Sequence, residues 1–332
     1  MQIRRNNYTI IEIMFVISLI VIIVSMVMPA FRESRDKARF VRWMSFNKQC
    51  SSDPTCVINF NFQEGKGSTL TNSAAGNENV KFMAKDYYGT VKGSNFITKN
   101  GDWVRGRWWK GKRALHFDGT TIVEVANIDS INFGENDDYT IIVWVKFDQL
   151  NQWATPFSKS YAPNYAQYDL YYDNTSYAAT KTTPAYSALF EVDVCSTCVG
   201  FDNMYRNVSG GAMLTSVTLD TSHWYMITLR NKVQKSPASP AVNSINDHVV
   251  DVFWNGYSLN GSRGTNNVSS SSMRCNAKLI LGAMRFWAGQ NSGNGSLNCF
   301  LNGRIDEFMV YKRALQDSEI RGHFMMGQEH NY

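Results

Sequence analysis

Two pairs of carboxylates in this sequence have residue types that could carry out acid–base chemistry or bind a metal. Asp306 and Glu307 are adjacent in an apolar segment, and Glu191 and Asp193 are separated by one residue. Adjacent residues of a β-strand point to opposite faces, so we expect Asp306 and Glu307 to be structural and not to share a site. Residues two apart share a face, the arrangement that a retaining glycosidase needs for two carboxylates about 5–5.5 Å apart.

Six cysteines could form disulfides or bind zinc. The chain has one C-x-x-C pair, and its five histidines are scattered, which does not favour a zinc site. An even number of cysteines in a chain whose body lies outside the membrane favours disulfides. Other pairings stay open, but proximity in the sequence suggests three bonds, Cys50–Cys56, Cys195–Cys198 and Cys275–Cys299.

The elements that must position these residues begin with one apolar segment. Residues 8–28 carry a single charge, Glu12, and Pro29 ends the run. A helix of this length rises about 30 Å, the thickness of a bilayer's hydrocarbon core. Arg4 and Arg5 precede it and favour a cytoplasmic N-terminus. A lone carboxylate in a membrane helix costs roughly 2.5–3.5 kcal/mol, so Glu12 needs a partner; an ordinary signal anchor would not explain it.

The short basic leader, the sequence Y-T-I-I-E at residues 8–12 and the apolar run up to Pro29 resemble the class III leader of type IV pilins and pseudopilins. The resemblance covers residues 1–48. It implies that a prepilin peptidase cuts between Asn7 and Tyr8, although the family almost always has Gly where this chain has Asn7. It also implies that Glu12 neutralises the N-terminal amine of a neighbouring subunit. The residues to which the resemblance assigns a role in assembly are Tyr8, Thr9, Glu12 and Pro29.

The stretch after Pro29 predicts a continued helix. Phe40, Trp43 and Phe46 recur every three residues and form an aromatic stripe. In pilins this half of the helix packs against the globular head, which is the role we expect for the stripe.

The body of the chain predicts an all-β domain. From about residue 57 apolar residues alternate, and Asp-Gly or Asn-Gly pairs at 118–119, 255–256 and 302–303 predict turns. Residues 139–147 are apolar on both faces, which predicts a strand buried on both sides. Many short strands with such turns indicate a sandwich or jelly roll, and the one later helix is predicted at 316–324.

Six motifs in order resemble the LamG-like concanavalin A-type jelly roll and cover nearly all of residues 57–324. They are F-x-F-x-E-G-x-G from Phe60, L-x-F-D-G from Leu115, Y-T-I-x-x-W-V from Tyr139, W-Y-x-I from Trp224, W-N-G from Trp254 and G-x-I-D-E-x-x-x-Y-x-R-A-L from Gly303. The resemblance implies a two-sheet antiparallel sandwich that often binds glycans or proteins. Glycosidases with this fold carry E-x-D-x-E, and this chain has Cys195 at the last position, so we expect no enzymatic activity.

Cofactors and nucleic acid are not expected. The loop carboxylate Asp118 could bind calcium, but no calcium-loop spacing occurs. A net charge of +5 is too small to indicate nucleic-acid binding. Five N-x-S/T sequons mark surface loops that could accept glycans: Asn174, Asn207, Asn260, Asn267 and Asn294.

These expectations combine into one architecture, which is mostly β. A basic leader (1–7) precedes a pilin-like helix (8–48), a linker with a cysteine pair (49–56) and a LamG-like sandwich with a short C-terminal helix (57–332). The predicted function is that of a homo-oligomeric subunit of a type IV pilus-like extracellular filament. The pilus assembly machinery would take it from the cytoplasmic membrane, and its sandwich would bind a surface glycan or protein. The alternatives are a minor pilin or pseudopilin of a secretion or DNA-uptake system, and a monomeric membrane-anchored glycan-binding lectin.

Overall fold

The computed structural model contains one long helix, a two-sheet β-sandwich and a short C-terminal helix. It describes residues 9–67, 70–74, 82–86, 103–107, 111–125, 129–134, 137–150, 154–160, 166–173, 189–191, 193–195, 204–206, 219–235, 246–258, 264–268, 277–286 and 296–328. The helices are α1 (Ile10–Ser51), a single 3₁₀ turn (Asp129–Ile131) and α2 (Asp317–Gly327).

The strands are short, as the alternation of apolar residues predicts. In chain order they are β1 (Cys56–Phe60), β2 (Phe82–Asp86), β3 (Trp103–Arg105), β4 (Arg113–Asp118), β5 (Thr121–Val125), β6 (Tyr139–Phe147), β7 (Ala154–Ser160), β8 (Ala166–Asp173), β9 (Leu189–Glu191), β10 (Asp193–Cys195), β11 (Met204–Arg206), β12 (Tyr225–Lys235), β13 (Asn246–Trp254), β14 (Tyr257–Ser258), β15 (Gly264–Val268), β16 (Leu279–Leu281), β17 (Met284–Phe286), β18 (Ser296–Asn298) and β19 (Asn302–Tyr311).

Two antiparallel sheets form the sandwich, so the predicted fold class is confirmed. The larger sheet has the order β14-β13-β12-β6-β19-β4-β3, with β1 also paired to β19 and β15 to β13. The second sheet has the order β2-β5-β16-β7-β8-β9. Strands β6 and β19 lie at the centre of the larger sheet, and β19 carries Asp306 and Glu307.

The main core lies between the two sheets. Val143 of β6 and Phe308 of β19 point into it from the larger sheet, and Phe157 and Leu281 come from the second sheet. The rings of Phe157 and Phe308 meet edge to face with centroids 5.6 Å apart. Burying each such side chain contributes about 1.5–3 kcal/mol, so this layer provides most of the sandwich's stability.

The outer face of the larger sheet is buried as well. Ile142 and Trp144 belong to a second apolar cluster, which includes Leu315 and Ile320 beside and within α2. The predicted burial of β6 on both faces is therefore confirmed. The predicted C-terminal helix is also present, and it begins at the N-cap Gln316.

Two of the three predicted turns are present, and the third is wrong. Gly119 has φ +82, and Asn255 and Gly256 have φ 50 and 81, as tight turns require. The pair at 302–303, however, begins β19. There a Cβ on Gly303 would lie 2.3 Å from the Lys146 carbonyl oxygen, so this glycine permits close approach of two strands.

Candidate functional site: an exposed apolar helix and its buried junction with the sandwich

The N-terminal half of α1 is apolar and exposed on all sides. Among the described residues, α1 is the one helix long and apolar enough to cross a membrane. Ile10 (77% exposed), Ile11 (78%) and Val16 (52%) point in different directions around the helix, and all three face solvent. No single side of this half therefore packs on the sandwich. The helix continues through Pro29 without interruption, and the apolar half therefore forms one rod with the segment that follows.

Glu12 has hydrogen-bond partners inside its own chain. The Thr9 backbone N–H donates to Glu12 Oε2 at 2.8 Å, and the Thr9 hydroxyl donates to the same oxygen at 3.0 Å. The Glu12 N–H in turn donates to Thr9 Oγ1 at 3.3 Å, which completes a capping box at the helix start. The bonds that Glu12 accepts from Thr9 both end on Oε2, so the cap does not use Oε1.

The other end of α1 is fixed to the sandwich by buried hydrogen bonds. Trp43, which is 2% exposed, donates its indole N–H to Glu307 Oε1 at 2.7 Å, and Asn47 Nδ2 donates to the same oxygen at 3.1 Å. Asn59 of β1 donates to Asn47 Oδ1 at 3.2 Å and to Ser51 Oγ at 2.7 Å. Polar side chains on one face of the last three turns thus join the helix to strands β1 and β19.

Asp306 and Glu307 share one buried ion-pair network, so the expectation that they occupy separate sites is wrong. Arg107 Nε lies 2.9 Å from Asp306 Oδ1, and its Nη2 is bonded to Glu307. The pairing of β19 with β6 shifts by one residue between Ile305 and Glu307. This bulge brings two consecutive side chains to the same arginine, which a regular strand would not allow.

Lys112 completes the network and links it to α1. Its ammonium group donates to the Asp306 carbonyl oxygen at 2.8 Å and lies 4.3 Å from the ring centre of Trp43. On the other side, the Arg107 guanidinium stacks 3.9 Å from the ring centre of Trp144. The burial of Arg107 and Lys112 could not be predicted from local sequence, because their partners lie about 200 residues away along the chain.

The electrostatics of the network follow from its burial. Burial lowers the pKa of Lys112 to about 8, although Asp306 and Glu307 act in the opposite direction. Burial raises the pKa of Asp306 above its usual value despite Arg107. Burial would also raise the pKa of Glu307, but Arg107, Lys112 and the Trp43 hydrogen bond together hold it below its usual value. Glu307 is therefore ionised, and it accepts the hydrogen bonds that Trp43 and Asn47 of α1 donate.

A second buried cluster lies beside this junction, between α1 and α2. His323 Nε2 lies 3.3 Å from the Tyr311 hydroxyl and 3.9 Å from Cys50 Sγ, and its ring meets Phe46 edge to face. The structure holds Cys50 and Cys56 as free thiols, so the expected disulfide between them is not formed in it. Burial raises the pKa of Cys50 to about 12, and it raises the pKa of Cys56 still further.

The other predicted site residues are not brought together by the described part of the chain. Asp118 Oδ1 accepts hydrogen bonds from Thr120 and Thr121, which lower the pKa of Asp118 to about 2 against the effect of burial. Among the described residues no group of three or more His, Cys, Asp or Glu side chains could hold a metal. Cys299 is buried. Cys195 ends β10 and Asn267 lies in β15, but their side chains and those of Glu191 and Asp193 lie outside the described residues, as do Asn7, Tyr8, Cys198, Cys275, Asn174, Asn207, Asn260 and Asn294.

Comparison with known proteins identifies fold similarity and no family. No family model matches the chain. A stretch of 46 residues, 14% of this chain, is 41% identical to 3% of an insulin-like peptide receptor from Branchiostoma lanceolatum, so the chain spans a very small part of that receptor.

Several solved structures are similar to this chain over most of its length. Domain 4 of the extracellular arabinanase AbnA from Geobacillus stearothermophilus, solved with arabinotriose, is 16% identical, with a TM-score of 0.47 over 82% of this chain and 98% of that one. Trypanosoma rangeli sialidase is 13% identical, with a TM-score of 0.46 over 86% of this chain and 38% of the sialidase.

Proposed function

We propose that this chain is a subunit of a type IV pilin-like filament that carries a β-sandwich binding domain on its surface. The observation that supports the proposal is the unequal burial of α1. Its first half is apolar and exposed on every side, whereas Trp43, Asn47 and Ser51 in its last turns are buried against the sandwich. A helix that is apolar all round must itself be buried, in a membrane or in a bundle of helices.

The proposed assembly has two stages. The apolar half of α1 first holds the chain in the cytoplasmic membrane, and prepilin peptidase removes residues 1–7. The helix then leaves the lipid and packs with copies of itself, which keeps buried the side chains that contribute about 1.5–3 kcal/mol each. Because the last turns of α1 are fixed to the sandwich, every copy presents its sandwich in the same orientation.

Glu12 provides the axial register in this proposal. Its carboxylate pairs with the N-terminal amine of Tyr8 on a neighbouring subunit, because a buried charge is tolerated only with a partner. The capping box does not prevent this, since both bonds from Thr9 end on Oε2. Display of the sandwich at regular intervals would strengthen weak binding of a surface glycan or protein through avidity. The ligand class follows from the LamG resemblance alone.

The experiment separates the two roles that Glu12 could have. The full chain is produced with its assembly machinery, and sheared filaments are quantified by electron microscopy and immunoblotting. Glu12→Gln keeps the capping box, because glutamine can replace glutamate there, but removes the charge. Thr9→Ala weakens the cap and keeps the charge. We expect filaments from wild type, fewer filaments from Thr9→Ala because the helix cap is weakened, and none from Glu12→Gln. The mature N-terminus, read by mass spectrometry, should be Tyr8.

The opposite pattern contradicts the proposal. If Glu12→Gln assembles normally while Thr9→Ala does not, then Glu12 serves to cap the helix and does not neutralise the N-terminal amine of a neighbouring subunit. If all variants stay in the membrane fraction as single molecules, the chain is an anchored binding protein, and the filament role fails.

A further inference from the structure

The segment of α1 that follows the apolar half carries a stripe of arginines. Arg32, Arg35, Arg39 and Arg42 recur at i, i+3, i+7 and i+10, the spacing of one helix face, and they form what is called here the arginine stripe. Arg32, Arg35 and Arg42 are exposed, and Arg39 is partly buried. Because α1 is continuous from Ile10 to Ser51, the stripe has a fixed distance from the end of the apolar half.

That distance places the start of the stripe at the membrane surface. At about 1.5 Å per residue, Arg32 lies about 6 Å and Arg35 about 10 Å beyond Met28 along the helix axis. The headgroup layer extends about 5–8 Å beyond the hydrocarbon on each side of a bilayer. Flexible arginine side chains can extend several ångströms to reach a charged partner, so Arg32 and Arg35 reach headgroup phosphates in the inserted state. Arg39 and Arg42 lie farther out.

The charge of this segment indicates an anionic partner. Of the acidic residues of this stretch, Glu33 points about 100° or more around the helix from every arginine of the stripe. Asp36 lies within about 60° of Arg32 and Arg39, so the stripe has four positive charges and one negative charge. Arginine binds phosphate oxygens with two parallel hydrogen bonds, which suits a phospholipid headgroup.

We propose that the arginine stripe binds anionic phospholipid headgroups while the chain is in the membrane, with Arg32 and Arg35 making the main contacts. The inference rests on the membrane stage of the proposed function. It adds a lipid partner and a means of setting the depth of the inserted helix. A basic residue next to an anionic membrane surface increases affinity about fivefold, and the effect fades within about 10 Å. Residues near Met28 should therefore matter more than distant ones.

The test compares two variants with the same loss of charge. The full chain is placed in nanodiscs of equal parts phosphatidylglycerol and phosphatidylcholine, and the lipids that stay bound are counted by native mass spectrometry. Wild type should retain at least three times more phosphatidylglycerol than phosphatidylcholine. Arg32→Gln/Arg35→Gln should at least halve this ratio, and Arg4 and Arg5 on the other side of the apolar segment account for the remaining preference. Arg42→Gln/Lys48→Gln removes two exposed charges farther along α1 and should leave the ratio near the wild-type value. All positions changed are exposed, so the sandwich stays folded, and circular dichroism checks this.

Several outcomes overturn the inference. A ratio of one for wild type, or an equal loss in both variants, removes the proposed lipid site while the filament proposal stands. Loss of the phosphatidylglycerol preference in excess inorganic phosphate would assign the stripe to free anions. A lipid ratio of one together with retention of a DNA oligonucleotide would assign it to nucleic acid. A chain that washes out of vesicles in alkaline carbonate would overturn both the inference and the membrane stage of the proposed function.

Discussion

Acid should destabilise the sandwich through His323, the histidine buried between α1 and α2. Burial lowers the pKa of His323 from 6.5 to about 4, with Arg313 and Arg107 acting in the same direction and Glu307 and Glu319 against it. Between these two pKa values the unfolded chain binds a proton that the folded chain does not. Stability therefore falls as the pH falls from 6.5 to 4 and is fully retained above pH 6.5.

The magnitude follows from the difference between the two pKa values. A difference of about 2.5, at about 1.36 kcal/mol for each unit, gives a loss of about 3 kcal/mol near pH 4. This is a large share of the 5–15 kcal/mol or so by which domains are usually stable. The loss should loosen the contact of α1 with the sandwich, because His323 also contacts Phe46 and Cys50 of α1.

The assay is denaturant unfolding of the full chain in detergent micelles at several pH values between 7 and 4, followed by tryptophan fluorescence. His323→Gln cannot take up the proton, so the free energy of unfolding of wild type relative to this variant should fall by about 3 kcal/mol over the range. The control is His116→Gln, since His116 is partly exposed and lies 3.2 Å from Asp148. If wild type and His323→Gln lose stability in parallel, His323 is not buried as a neutral group and the reasoning is refuted.

Two further predictions concern packing, and the same unfolding assay at pH 7 measures both. Trp43→Phe replaces the indole by a smaller aromatic ring and removes the donor to ionised Glu307. The lost hydrogen bond should lower the free energy of unfolding by about 1.5–3 kcal/mol, and a loss below about 0.5 kcal/mol would show that this bond does not hold α1. Gly282→Ala should lower the free energy of unfolding more than Gly67→Ala does. Both glycines have positive φ (+86 and +81), but of the two only a Cβ at position 282 would meet a neighbour, the Phe117 ring at 2.2 Å. The strain common to both is about 1–3 kcal/mol, and equal losses would contradict the predicted clash.

The sequence was sufficient for those parts of the fold in which a local pattern determines burial. The nearly continuous apolar run of β6 identified a central strand that is buried on both faces, since Val143 points between the sheets and Trp144 points toward α2. The C-terminal helix was also predictable, and a local contact marks its start, since the Gln316 N–H donates to Glu319 Oε2 at 2.7 Å. Both signals lie within a few residues of the structure they specify.

The junction was not predictable, because its signals are distant or irregular. A bulge in β19 is not visible in the alternation of residues, so Asp306 and Glu307 were placed on opposite faces. Arg107 and Lys112 look like surface residues until a fold supplies two buried carboxylates for them. The aromatic stripe was partly informative, since Trp43 does pack against the sandwich, but its indole N–H needed Glu307 from the far end of the chain.

The basic residues on the two sides of the apolar segment bear on how the helix is oriented in a membrane. Two basic residues precede the segment, whereas six follow within twenty positions: Arg32, Arg35, Lys37, Arg39, Arg42 and Lys48. Basic residues favour the cytoplasmic side when they lie in short loops, and that count alone would orient the sandwich toward the cytoplasm. The rule weakens when a long domain follows the helix, because long domains cross largely regardless of charge. The sandwich is such a domain, so the proposed outward location stands, but the charges behind the helix then serve no purpose in orientation. The proposed contact with anionic headgroups on the outer side would give these charges a role, and it would retain the helix at a defined depth until the proposed assembly withdraws it.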